Sequence, residues 1–457
     1  MQFWKKFAIT AAILASAGVL QARAQSPVQT HDPMQGMNMP ATDAGKADAA
    51  AKLLMQRASG TSANPASSKP PMLFAKYGGW KFMLHGEGFI SEVQQTGPLG
   101  ADKFFSTNWF MGMAEHELGG GAFQVRAMLS LEPATITGRA YPELFQTGET
   151  AFGQPLVNGQ HPHNLFMELS VAYAHTIGEH TTLEIYFAPV GDPALGPVAF
   201  PHRASAEELP QTPLSHHLQD STHTSDEVIT AGLFRPHWSL EASGFHGGEP
   251  GENRWIVQTG AVDSWSARAS WMPSKNWIAQ FSAGRLTKPE ALEPGDQLRT
   301  TASVSYNHPW ETGYWTTSAI WGRDHKTAVQ RNLNSYLLES VLQFQKKNYV
   351  TGRAELVDRD ELFADTPRIL QQLAATVGTT FRVGAFTAGY TRDIHLIPHL
   401  LTGVGANATL YRVPAPIQPF YGAHPAAFYV FLRFRLEGTG SGMQHTHSAA
   451  TPDFETN

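Results

Sequence analysis

Hydrophobic and polar positions alternate with a period of two along much of this chain. In the run from Ala426 to Leu436, Phe428, Val430, Leu432, Phe434 and Leu436 are apolar, and Tyr429, Phe431, Arg433 and Arg435 fill the places between them. A strand sends alternate side chains to opposite faces, so one face is apolar throughout and the other ends in two arginines. At roughly 3.3 Å per residue the run is long enough to cross a bilayer as a tilted strand. The pattern recurs upstream. In Ala122–Glu132, Phe123, Val125, Ala127, Leu129 and Leu131 oppose Gln124, Arg126, Met128, Ser130 and Glu132. In Phe166–His175, Met167, Leu169, Val171 and Tyr173 oppose Glu168 and small residues, and in Leu183–Ala188, Leu183, Ile185 and Phe187 oppose Glu184, Tyr186 and Ala188. Trp238–Ser243, Ala267–Trp271, Trp277–Ala283, Tyr336–Phe344 and Val350–Leu356 behave alike.

A soluble sandwich also alternates, but it exposes its polar face. Here the polar faces are narrow, made of Ser, Ala, Gly and Thr with single charges, and the apolar faces end in Trp, Tyr and Phe, as lipid-facing bands with aromatic girdles do. Tight connections are expected at Leu118–Gly121, Gly178–Thr181, Arg235–His237, Met272–Asn276, Lys346–Asn348 and Arg382–Gly384. Long ones are expected over 133–163, 191–225, 247–264, 287–297, 322–333 and 357–369. Short turns at one end and long loops at the other fit a transmembrane antiparallel β-barrel. About 17 segments qualify as strands; an even number is required, so the expectation is an all-β barrel of about 16 strands, within 14 to 18.

The N-terminus changes the picture by adding export. Lys5 and Lys6, an apolar run from Phe7 to Leu20 and Ala22-Arg23-Ala24 have the form of a cleaved secretory signal over residues 1–24. No later stretch approaches the roughly 18 apolar residues of a spanning helix, which leaves a closed barrel as the only way to satisfy the backbone inside a membrane. Residues 25–77 read as a flexible periplasmic tether in which Ala41–Arg57 is rich in helix formers and could be a short helix and Gly60–Pro71 is disordered, then a barrel over 78–436 and a loose tail over 437–457. Cys is absent, which excludes disulfides and thiolate metal sites. The net charge of −6 gives no footprint for nucleic acid. A secreted β-propeller or sandwich is the soluble alternative; no blade-length repeat of about 40 residues supports the first.

The chain therefore resembles the porin-like outer-membrane β-barrel proteins of Gram-negative bacteria, over about residues 78–436 and on architecture alone. The resemblance implies outer-membrane lipid and the barrel assembly machinery as partners. Such barrels often end on an aromatic residue; here Phe434 and Leu436 hold that region, and residues 437–457 follow. A narrower resemblance lies in His31-Asp32-Pro33-Met34-Gln35-Gly36-Met37-Asn38-Met39, which is similar to Met-rich stretches of copper-resistance outer-membrane proteins.

Candidate chemistry is of two kinds. Arg126, Glu132, Glu168, Glu184, Glu241, Arg268, Glu339, Arg353, Glu355, Arg433 and Arg435 share the polar faces, and mixed charge on one interior means a water-filled pore or an ion-pair network. The other kind is metal binding, to copper or zinc. Met34, Met37 and Met39 offer thioethers suited to Cu(I), with Met443, His445 and His447 in the tail. His216, His217, Asp220 and His223 fall in one long loop and His161 and His163 in another, so the two sets could meet if both loops fold inward. The plain alternatives are a low-complexity linker and loops hydrogen-bonded into the barrel mouth. Met111, Met113 and Glu115 share a strand face, which ordinary packing also explains. Gly-x-Ser-x-Gly in a strand–turn–helix setting, His-Glu-x-x-His and phosphate loops are absent, so no enzyme is expected. The functional expectation is a channel for passive movement of small polar solutes or ions, with a metal-binding surface protein and a barrel enzyme acting on lipid or saccharide as alternatives.

Overall fold

A computed structural model describes residues 43–436, apart from 378, 398 and 399. Residues 1–24, expected as a signal, residues 25–42 with Met34, Met37 and Met39, and residues 437–457 with Met443, His445 and His447 lie outside the described residues. Sixteen antiparallel strands close into a ring: β1 (Trp80–Gln95), β2 (Asp102–Leu118), β3 (Gly121–Leu129), β4 (Phe166–Ile177), β5 (Thr181–Gly191), β6 (Ser225–Arg235), β7 (Trp238–Phe245), β8 (Ser264–Ser274), β9 (Trp277–Leu286), β10 (Gln297–Trp310), β11 (Gly313–Lys326), β12 (Arg331–Phe344), β13 (Asn348–Arg359), β14 (Phe381–Ile397), β15 (Leu400–Arg412) and β16 (Ala426–Leu436). β16 pairs with Glu87–Gln95 of β1 and closes the ring. A further short strand, Leu73–Tyr77, lies outside the span counted from sequence and pairs with the start of β1 beside that seam.

The pleat decides what faces lipid. On β5, Leu183, Ile185 and Phe187 point outward and are exposed, while Glu184 and Tyr186 are buried. On β16, Phe428, Val430 and Leu432 are exposed and Arg433 and Arg435 are buried. Trp238, Trp271, Trp277, Trp310 and Trp315 stand exposed close to the short turns, an aromatic girdle at one rim. Every wall strand pairs on both sides, so no edge meets lipid.

Several boundaries differ from the sequence reading. Arg382–Gly384 is not a turn but the start of β14, because the tight connection falls later, between β14 and β15. The long connection over 322–333 is only the interval between Lys326 and Arg331, since β11 and β12 pair as far as those two residues. Glu132 is off its strand: β3 ends at Leu129, and Glu132 opens a helical turn, Glu132–Thr135. Met167 does not face lipid: a register shift between Phe166 and Glu168 turns it inward beside Glu168, and both are buried.

The largest difference concerns residues 43–77, expected as tether. Asp43–Met55 is an α-helix (α1) whose Ala47, Ala50, Ala51 and Leu54 are buried. It packs within one cluster with Ala122 of β3, Ala172 and Ala174 of β4 and Ala188 of β5. Those inward positions are small, so helix and wall approach closely; the helix formers of Ala41–Arg57 do form a helix, and what the tether reading lacked is its packing against the wall. After it comes a hairpin of Arg57–Ser59 and Ser62–Ala63, with Ser59 and Thr61 fully buried. Gly60 turns it with φ +46°, and a Cβ there would stand 2.4 Å from the Cβ of Asp192. Further on, the Ser67 amide donates to the Lys275 carbonyl at 2.8 Å, at the short-turn rim.

The lipid assignment is testable. Ile185→Arg should cost about 2–4 kcal/mol of folding free energy in vesicles, measured by urea unfolding. No change would put that face against water.

Candidate functional site in the barrel lumen

The inward charges meet partners rather than open water. Apart from Glu132, now placed in a loop, all the lumen candidates lie on wall strands, and all are buried. They form three groups. In the first, Arg57 of the internal hairpin bonds Glu184, and Glu241 at 3.1 Å. Arg268 donates to the Thr61 carbonyl at 2.6 Å and to Glu241 at 3.2 Å. Arg126 reaches the Gly60 carbonyl and Glu168, each at 3.2 Å, and the Gly60 amide donates to Glu168 at 3.2 Å. The N-terminal hairpin thus sits as a plug with its backbone and one guanidinium answered by the wall.

Segment 192–224 supplies the second group. It runs inside the ring with nearly all its residues buried. Gly196 donates to Ser282 at 2.9 Å; Arg203 bonds Glu339 at 2.5 Å and Asp220 at 2.8 Å. Ser215 donates twice to Glu355 at 2.8 Å, and Arg353 bonds Glu339 and the Gln211 carbonyl, each at 3.1 Å. Glu208 receives both Arg433 and Arg435, the latter at 2.7 Å. The loop therefore touches β9, β12, β13 and β16 in turn. A second loop, 130–165, adds apolar contact: Tyr141, Leu144 and Phe145 pack with Phe105, Tyr411, Tyr421 and Phe431. Most of these charges meet an opposite charge, and Glu355 is held by Ser215.

The third group is the histidines, and the two loops do bring them together. Ring centres lie 5.1 Å apart for His216–His217, 5.2 Å for His216–His223, 5.3 Å for His163–His223 and 5.8 Å for His161–His217. Each has one nitrogen near a fixed acceptor or carboxylate: His216 Nδ1 lies 2.6 Å from Asp220, His223 Nδ1 2.9 Å from the Asp220 carbonyl, and His163 Nδ1 3.0 Å from Glu132. His161 lies 2.9 Å from Glu149, and His217 3.8 Å from Glu249. Among the described residues two groups bring three donor atoms within 4.8 Å of one another: His217–Glu249–Glu290 and Glu293–Asp360–Glu361. In the second, Lys326 already contacts all three carboxylates, at 2.6, 3.0 and 2.6 Å. The first includes only one residue singled out from sequence; its carboxylates come from loops after β7 and β9, whose convergence a linear reading does not show. His163, His216 and His223 do not themselves form such a set.

Burial pulls the His217 imidazole down to about 3, with Glu149 opposing, and His216 down to about 4, with Asp220 opposing. His223 lies well below the usual histidine range for the same reason. Burial pushes Glu249 up to about 8, helped by Glu149, and Glu143 up to about 8, with the Tyr429 hydroxyl opposing. Burial also raises Asp220, but His216 and Arg203 outweigh it and hold it below the carboxylate range.

No family model matches this chain, and no curated protein does. Among solved structures it is similar to an anion-selective porin from Comamonas acidovorans (10% identity, 78% of this chain and 100% of that one, TM-score 0.46). It is also similar to OprB of Pseudomonas putida (10%, 78% and 94%, TM-score 0.48) and OmpF of Salmonella typhi in complex with daunomycin (9%, 80% and 100%, TM-score 0.47). At this identity no site residue carries over. The closed ring of sixteen strands, with its outward apolar band and alternating turns, is itself porin-like.

These shifts give a pH dependence. Histidines depressed on folding stabilise the packed loops fully above 6.5, and that is lost as pH falls through about 4 and about 3. Carboxyls raised on folding act oppositely: their contribution is complete below 4.5 and is lost as pH rises through about 8. The trends oppose each other between 4.5 and 6.5, so loop packing should be firmest there and weaken on both sides. Hydrogen exchange of segment 192–224 in detergent measures this. Steady tightening above pH 6.5 would contradict it.

Proposed function

We propose that this protein is an outer-membrane channel for small polar solutes or ions, held closed at rest by its own N-terminal plug and inward loop. The observation that supports it most is the wall: Glu184, Glu241, Arg268, Glu339, Arg353, Arg433 and Arg435 are answered in large part by groups on the plug and the loop. A barrel serving only as a scaffold has no need of inward charge. A wall whose partners are movable stays polar and hydrated when they leave, with both signs of charge available to a passing solute. In this reading the leader is removed on export, the chain reaches the outer membrane through the assembly machinery, and no chemical step is involved.

Planar bilayers test the proposal. The full chain should show small, infrequent conductance, and Arg57→Ala or removal of residues 43–67 should raise it several-fold. Absence of conductance in all forms at high protein load would refute a channel.

A second reading, divalent metal binding, is favoured by His217, Glu249 and Glu290. Their donor atoms lie within 4.8 Å, and the His217 Nδ1 and a Glu249 oxygen are buried without hydrogen-bond partners. One imidazole and carboxylates suit Zn²⁺. A His217→Ala, Glu249→Gln variant should bind zinc weaker by roughly 10–100-fold, read by isothermal titration. Unchanged affinity removes this site.

A further inference from the structure

One patch of the lumen wall is unlike the rest. Where the wall meets α1 it is lined with alanine, and where it meets the loop 130–165 it is lined with Phe, Tyr and Val. A separate cluster has methionine at all its buried positions, Met83, Met111, Met113, Met128 and Met167, with the partly buried Met55 and Trp109 packed against it. The register makes four of them a continuous surface. Met83 of β1 faces Met113 of β2, and Met111 of β2 faces Met128 of β3. Met167 joins through the bulge of β4. Leucine fills such space with better-defined rotamers, so packing alone does not select methionine at all these positions; what methionine adds is a polarizable thioether.

A nitrogen donor reaches the same patch. His202, in the inward loop, places its Nε2 2.8 Å from the Met128 sulfur. Its other ring nitrogen, Nδ1, is buried with no hydrogen-bond partner. His85, cross-strand from Met111, stands behind it with ring centres 6.3 Å apart. The donors themselves are neutral and soft; the charges beside them, Arg126 cross-strand from Met113 and Glu168 next to Met167, pair with each other at 3.2 Å.

We propose that Met83, Met111, Met113, Met128 and His202 form a binding site for a soft monovalent cation, Cu(I) or Ag(I), on the lumen wall. Neutral thioether and imidazole donors hold such ions without a compensating carboxylate, whereas Zn²⁺ and Mg²⁺ prefer the charged and oxygen-rich sets elsewhere in the lumen. The site is distinct from His217–Glu249–Glu290 in residues and in chemistry, and it does not depend on whether the barrel conducts.

The test uses the full chain in detergent, with Met34, Met37, Met39 and Met443 replaced by leucine so that metal bound by those methionines is not counted. Cu(I) is offered anaerobically against bicinchoninate, and Ag(I) in a parallel arm. The protein should retain Cu(I) with copper–sulfur scattering in its X-ray absorption spectrum. Adding Met83→Leu, Met111→Leu, Met113→Leu and Met128→Leu, which conserve volume, should weaken retention by roughly 10–100-fold or more. Heat-modifiable migration on gels reports whether that variant has folded. If it has not, selenomethionine labelling of the barrel with its methionines intact decides: copper–selenium scattering supports the site, and its absence refutes it. Failure of the four-leucine background to retain Cu(I) or Ag(I), or equal retention by the folded variant, overturns the proposal.

Discussion

The structure depends on one constraint: a charged group pointed into a closed barrel and cut off from bulk water must find an opposite charge or hydrogen-bond partners inside it. Eleven acidic and basic residues were candidates for the lumen, and their burial means that strand pairing alone does not complete this fold. The wall supplies some partners directly, as Arg268 does for Glu241 and Arg353 for Glu339. The rest come from segments that are not wall. Arg57 enters on the N-terminal hairpin to meet Glu184, Arg203 on the inward loop to meet Glu339, and Glu208 on the same loop to meet Arg433. Plug and loop are therefore electrostatic complements of the ring.

That dependence explains what sequence could reveal. Alternation is local, so the barrel, its lipid face and the inward direction of Arg433 and Arg435 could be read from the chain. For the two histidine loops the sequence offered only the condition, that His161 and His163 could join His216, His217 and His223 if both loops fold inward. The plug could not be read in the same way. Its helix formers could be read, but not its place: only the small residues Ala122, Ala172, Ala174 and Ala188, scattered over three strands, show that the wall has room for α1. The same holds for Glu249 and Glu290, which join His217 from separate loops. Met167 was misplaced for a different reason: a bulge changes the parity of a strand, and parity is the whole of a two-residue pattern.

The interior is divided by chemistry. Ion pairs face the plug and loop, aromatic rings face the loop 130–165, alanines face α1, and thioethers meet His202. Each neighbour inside the ring is matched by a different kind of wall, so plug and loops are positioned by complementarity at several independent places. Substitution in one region leaves the others to hold the segment, whereas loss of Arg57 strikes two carboxylates at once.

A filled lumen is compatible with conduction because of what fills it. A buried ion pair gains Coulomb energy but loses hydration of both partners, and the balance is often close to zero. If water follows a departing plug, Glu184, Glu241 and Arg268 regain the hydration that burial removed, and the net cost of opening is far smaller than the number of ion pairs suggests. An apolar plug in an apolar lumen would lack that compensation, because opening would expose greasy surface on both sides. In the proposed channel, closing with contacts that are largely polar would keep both states within reach of each other. The aromatic contacts of Phe145 with Tyr411 and Tyr421 then add the bias that a purely ionic seal would lack.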